Sequence, residues 1–250
     1  MKHFLSFIFI HLFLYTFFAQ NLTSDYIATY NLKYKIEGST LNEQFVLFMD
    51  VKNEKSYFLS SVNYAADTAN VNAMTGSYNS NFNEKVLIEK NRAVVFENVK
   101  DIKISYPENI NLKWEITNQT KKFDIATVQL AKTTIYGRTW YAWFSRDIPV
   151  NAGPYKFKNL PGFIVSLYDE QGIFVFTLQQ FKKKRKLIAL PNQKRYKEIA
   201  KKDFNKTRYK IQTADDGIVI FNTPKEREEW MKGLRKRYSN IPLLDAQYAR

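Results

Sequence analysis

A chain of 250 residues with 20 Phe, 16 Tyr and 4 Trp has ample material for a core, yet it holds no cysteine and only two histidines, His3 and His11. That composition excludes disulfides, thiol nucleophiles and zinc or haem sites built on His and Cys, so no cofactor or metal is expected. The net charge of +14 is unevenly placed, since residues 181–250 hold 20 Lys and Arg against 8 Asp and Glu.

Residues 1–20 read as a signal peptide. Lys2 and His3 make a positive start, Phe4 to Phe18 are almost wholly apolar, and Ala19 precedes the polar Gln20 and Asn21. The run is too short for a convincing membrane span, and without cysteine the N-terminus cannot be lipid-anchored. The remaining chain, 21–250, is expected in the periplasm or secreted, as one β-rich domain whose C-terminal part turns basic and helical from about residue 182.

From Tyr26 to Ile36 apolar residues alternate with polar ones, the pattern of a long strand with one buried face. Strands are expected next at 45–51 and 56–60, then a long surface loop over 62–83, which is rich in Asn, Ala, Ser and Thr. Further strands fall at 86–89, 93–97, 102–106, 112–117, 126–131 and 134–144. A hairpin over 163–168 and 173–181 turns at Asp169-Glu170-Gln171-Gly172.

In the basic tail the spacing of Tyr196, Ile199, Ala200 and Phe204 predicts a helix over 192–205, and a strand pair is expected at 208–212 and 218–221. A second helix has a clear start, with Thr223 as N-cap, Pro224 at the first position and Glu226 completing a capping box. Its stripe of Trp230, Leu234 and Tyr238 is expected to dock on the sheet. The densest basic run, Lys182, Lys183, Lys184, Arg185 and Lys186, would suggest nucleic acid in an intracellular protein. Export redirects that reading to an anionic membrane surface or an acidic envelope partner, with no nucleic acid.

Residues 137–164 read GRTWYAWFSRDIPVNAGPYKFKNLPGFI. This block resembles the core of the GLPGLI family of secreted bacterial proteins, which show GR-x-W-x-AW, IP, GP-x-KF and then the six letters of the name. Agreement extends upstream to Leu112, Trp114 and Ile116. The resemblance implies an envelope location and a β-rich fold, but no activity. Asn159 stands where the family has its first glycine, and asparagine tolerates the left-handed backbone that such a turn needs.

Gly153-Pro154 and Pro161-Gly162 are turn dipeptides, so the block is expected to fold back twice beside a strand. Arg138, Asp147, Pro154, Pro161 and Gly162 form its expected structural clamp, with Arg138 paired to Asp147 or Asp169. Trp140 and Trp143, three apart on a strand, face opposite sides. Tyr141, Trp143, Tyr155, Phe157, Leu160 and Phe163 are the candidate rim of an apolar pocket.

Catalysis, if present, would rest on carboxylates or on serine and lysine. The candidate pairs are Asp147 with Asp169 or Glu170, as in a glycosidase, and Ser145 or Ser166 with Lys156 or Lys158. Nothing in their spacing separates them from ordinary turn and strand-end residues. The expected architecture is therefore a mainly β fold, one curved antiparallel sheet or partial barrel with two C-terminal helices. By analogy with half-barrel carriers of lipid-linked cargo, the expected function is non-catalytic binding of an apolar or amphipathic ligand. The alternatives are an accessory protein docking on an envelope assembly through the basic tail, and a carboxylate-based hydrolase.

Overall fold

The computed structural model describes residues 21–68, 80–124 and 126–248; the expected signal peptide lies outside them. A single twelve-stranded sheet is built outward from its first strand, β1 (Asn21–Ile36). On one side run β2 (Ser39–Asp50), β3 (Lys55–Ser60), β4 (Lys85–Glu89), β5 (Arg92–Val99) and β6 (Ile102–Asn109). On the other run β11 (Phe174–Ala189), β10 (Phe163–Asp169), β9 (Arg138–Ser145), β8 (Ala126–Ile135) and β7 (Glu115–Phe123). All of these neighbours pair antiparallel; only the two-residue β12 (Lys197–Glu198) lies parallel, along β6. Helix α1 (Ser61–Thr68) follows β3, while α2 (Lys201–Gln212) and α3 (Pro224–Asn240) close the chain. The expected curved sheet with two C-terminal helices is the fold observed.

Residue parity decides which face each side chain serves. Ala28, Tyr30, Leu32 and Tyr34 of β1 enter one large core, while Ile27 enters a second, smaller core on the opposite face. A bulge between Ser24 and Tyr26 reverses the phase, so Leu22 joins the second core despite its even number. Strands β2 to β5 are buried on both faces, which explains the near-continuous apolar runs of 45–49 and 93–96.

The sheet curls, and its interior is filled by its own chain. The connection from β9 to β10, residues 146–162, enters the curl and delivers Val150, Ala152, Tyr155, Phe157 and Leu160 to the large core. Phe157 packs on Trp140 at 4.8 Å, and Trp114 Nε1 donates to Lys158 O at 2.7 Å. Lys156 is fully buried inside this plug. Its Nζ lies 2.5 Å from Glu108 of β6 and 2.8 Å from Asp245, donates to Tyr106 Oη at 3.2 Å, and sits 4.1 Å over the Tyr136 ring. Since β6 is nearly the last strand of one wing and Tyr136 follows β8 in the other, this lysine ties the two wings together. Burial works to lower the ammonium's pKa, but Tyr106, Asp245 and Glu108 outweigh it and hold it well above the usual lysine value.

Two turns hold the plug. Asn159 has φ +70°, the left-handed conformation expected for the residue replacing glycine. A Cβ on Gly162 would stand 2.1 Å from Ser145 O, so only glycine permits that approach. Tyr155 also has a positive φ, +56°, unusual for an aromatic residue; its burial and its hydroxyl's bond to Glu84 Oε2 (2.8 Å) hold it there.

Five local expectations are corrected. The stretch 134–144 is not one strand: Tyr136 and Gly137 both have positive φ and turn β8 into β9. The first tail helix lies at 201–212 rather than 192–205, because Lys197 and Glu198 are used to pair with β6. Residues 208–212 are therefore helical, and 218–221 form no strand; Ile218 and Ile220 are exposed. Helix α3 begins as expected, with Thr223 Oγ1 accepting from Glu226 N at 3.2 Å, but it buries no side chain, and Trp230 packs on Phe221 instead of the sheet. The loop expected over 62–83 opens with α1, its residues 69–79 lie outside those described, and Phe82 is core.

Gly162→Ala is expected to cost at least about 3 kcal/mol in urea denaturation, against about 1 kcal/mol for Gly38→Ala, whose Cβ meets nothing within 4 Å. Lys156→Met is expected to cost about 3–5 kcal/mol by leaving two buried carboxylates with less compensation. Lys201, which bridges the same carboxylates at 2.6 and 3.0 Å from a partly exposed position, should cost only about 1 kcal/mol on the same change. Equal losses at the two lysines would contradict the wing-tying role.

Candidate functional site

The expected rim residues divide between two faces. Tyr155, Phe157, Leu160 and Phe163 are buried in the large core, each at most 2% exposed. Tyr141 and Trp143 are half-buried on the other face of β9, where Tyr141 stacks on Tyr168 at 5.4 Å and Lys121 Nζ lies 4.2 Å over Trp143. Trp140 and Trp143 thus point to opposite sides, as their spacing requires. Phe157 is the one of the six that reaches a cavity described below.

Arg138 pairs with Asp169 at 3.1 Å and donates to Leu243 O at 3.3 Å, joining the start of β9 to the C-terminal segment. Asp169 also accepts from Phe174 N at 2.8 Å, so its carboxylate is committed to the hairpin. Asp147 is exposed beyond the other end of β10. Six residues of strand, rising about 3.3 Å each, put the two acids roughly 20 Å apart, too far for one glycosidase centre. Lys156 is taken up by Glu108, Asp245 and Tyr106, and Lys158 Nζ donates to Lys90 O at 2.6 Å. Among the described residues neither lysine bonds to Ser145 or Ser166. The basic run lies on β11, with Lys182 to Arg185 exposed and Lys186 Nζ 5.0 Å over the Tyr64 ring.

The openings among the described residues include three sizeable ones. One, of about 170 Å³, lies between the β2–β3 turn and the plug, bounded by Val51, Ser56, Pro149, Gly153, Phe157 and Lys158. Burial lowers the Lys158 ammonium's pKa there. Another, of about 220 Å³, sits beside Arg138, Asp169 and Glu170.

The largest of the three, about 340 Å³, lies on the second face of the sheet. It exists because the β1–β11 pair outruns β2. Residues 21–24 and 186–189 continue as a two-stranded ribbon past the bulge, and Leu22, Ile188 and Leu190 fold over Leu59, Leu87 and Phe96. Between ribbon and sheet are Tyr57, Leu59, Leu187, Ile188 and Leu190, with Tyr64 of α1 and Tyr196 closing the sides. Polar groups gather at one end. Lys85 is neutralised by Asp67 at 2.6 Å, Tyr196 Oη donates to Asn98 at 2.9 Å, and Lys103 and Arg195 stand nearby. Burial and then the Asp67 charge push the Tyr196 phenol up to about 12.

These residues come from β3, α1, β4, β5, β6, the ribbon and the segment 190–196, so no spacing in the chain groups them. The only local signal was Tyr196, whose periodicity suggested a helix face.

The model of a family described as "Protein of unknown function (Porph_ging)" matches residues 88–166, which run from β4 through the plug into β10. No curated protein matches the chain. Two crystal forms of PNGF-II, in space groups C2 and P21, are similar in fold at 18% identity, with TM-scores of 0.53 and 0.52 over 75% and 78% of this chain. The chain spans about a third of the length of PNGF-II (33% and 34%). A LolA superfamily protein, NE2245 from Nitrosomonas europaea, overlaps 70% of this chain and 90% of its own at 10% identity, with a TM-score of 0.30. Over the region they share, this chain is similar in fold to part of PNGF-II, and its residues 88–166 match the model of a family without an assigned function.

Proposed function

We propose that this chain is a non-catalytic binding or carrier protein of the cell envelope, and that its ligand, apolar or amphipathic, sits in the cavity between ribbon and sheet. One observation carries the reading: a concave site of about 340 Å³ with an apolar floor and polar groups gathered at one end. That volume and lining fall in the range of small-molecule sites. The interior of the curl is a poorer candidate, because the plug's own aromatic residues occupy it. The composition favours binding over chemistry, since histidine and cysteine are missing from residues 21–250.

A second reading, docking on an envelope assembly or an anionic membrane surface through the basic tail, is favoured by the exposed Lys182 to Arg185 and by the unburied side chains of α3.

Native mass spectrometry of residues 21–250, exported and purified gently, should reveal an extra mass that disappears on denaturation. Leu187→Asp alters an exposed position on the cavity wall, so the fold should survive while retention of that mass falls about tenfold. A clean apo mass in the parent chain would count against the carrier reading and favour the docking one.

A further inference from the structure

Resting on the binding reading above, we infer that the ligand is an anionic amphiphile: an apolar tail on the Leu59–Leu190 floor and an acidic head held by Lys103, Arg195 and the hydroxyl of Tyr57. The head carries a carboxylate or phosphate monoester, the two chemistries that two cations and a neutral donor recognise together.

Charge pairing at the cavity singles out these residues. Lys85, the cation nearest α1, is cancelled by Asp67 at 2.6 Å. Lys103 and Arg195 line the same cavity, and among the described residues neither side chain has an acidic partner or a hydrogen bond. The polar end therefore carries two positive charges that the protein leaves uncompensated. A solvent-facing lysine without a partner is ordinary; two beside one apolar hollow make an electrostatic preference for an anion.

Tyr57 supplies the independent observation. It is 1% exposed and lines the cavity, yet its Oη has no hydrogen-bond partner. A buried hydroxyl left in that state is unfavourable, and a ligand acceptor would relieve it. Burial, with the Asp67 charge and the Tyr196 phenol adding to it, keeps the phenol protonated and so a donor. Both of those neighbours line the cavity as well. The floor then takes the tail: Leu59, Ile188 and Leu190 are core residues, and Leu187, 65% exposed, forms an apolar lip beside them.

Isothermal titration with decanoate and with 1-decanol tests both layers. The inference expects decanoate to bind at least about tenfold more tightly than the alcohol, with an affinity that falls as salt rises. Lys103→Gln and Arg195→Gln should each weaken decanoate about tenfold and leave decanol unchanged. Tyr57→Phe removes a buried unpaired hydroxyl, so it should keep or raise the apo melting temperature while weakening decanoate severalfold. Dodecyl phosphate in place of decanoate tells a phosphate head from a carboxylate one, and tight binding of either supports the class. Equal binding of decanoate and decanol, or wild-type affinity in both Gln variants, would overturn the acidic head and leave the binding site standing. Failure of all three probes to bind would overturn the site itself.

Discussion

The structure depends on a single filled interior. A curled open sheet has a concave face that must be covered, and here residues 146–162 cover it from within. Lys156 makes that plug part of both wings, because its ammonium meets β6 through Glu108 and Tyr106 and meets the C-terminal segment through Asp245. Burying an ammonium costs several kcal/mol, and two carboxylates, a hydroxyl and the face of Tyr136 offset it. The same cluster draws in Lys201 at the start of α2, and α2 in turn packs Phe204 on Tyr106 at 4.6 Å. The tail helix is thus positioned by the charge that secures the plug.

With the interior filled, the proposed ligand site is the hollow on the opposite face. There the geometry follows from β1 and β11 being longer than the strand beside them. Past the bulge at 24–26 their shared ribbon leaves the plane of the sheet and brings Ile188 and Leu190 over Leu59 and Leu87. Two extended elements meeting a twisted sheet leave a hollow between them, and α1 closes one side of it with Tyr64 on Phe48 at 5.0 Å. The ribbon also carries the basic run, so the hollow opens beside the most cationic stretch of the chain.

Much of the sheet was legible in the chain. Strict alternation in β1, the Asp169 hairpin and the capping box of α3 are local signals with local causes. Helix α2 was misplaced because its inward face carries Arg208 between Phe204 and Ile211. Arg208 is buried through ion pairs to Glu84 at 2.9 Å and Glu97 at 3.2 Å, partners more than a hundred residues distant. Periodicity reads apolar positions and cannot see a paired charge taking one of them. The aromatic turn block misled for a related reason: aromatic residues between turns signal burial, but not whether they line a hollow or fill it. Apart from Tyr196 the cavity residues carried no sequence signal, since they are gathered from elements scattered along the chain.

The central claim is that the curl is occupied by its own chain and the ligand binds outside it. Hydrogen–deuterium exchange with and without saturating decanoate tests this most directly. Slower exchange confined to residues 57–59 and 187–196, with 153–163 unchanged, is the predicted result. Protection appearing instead within 153–163 would mean that the plug yields to ligand, and would contradict the account.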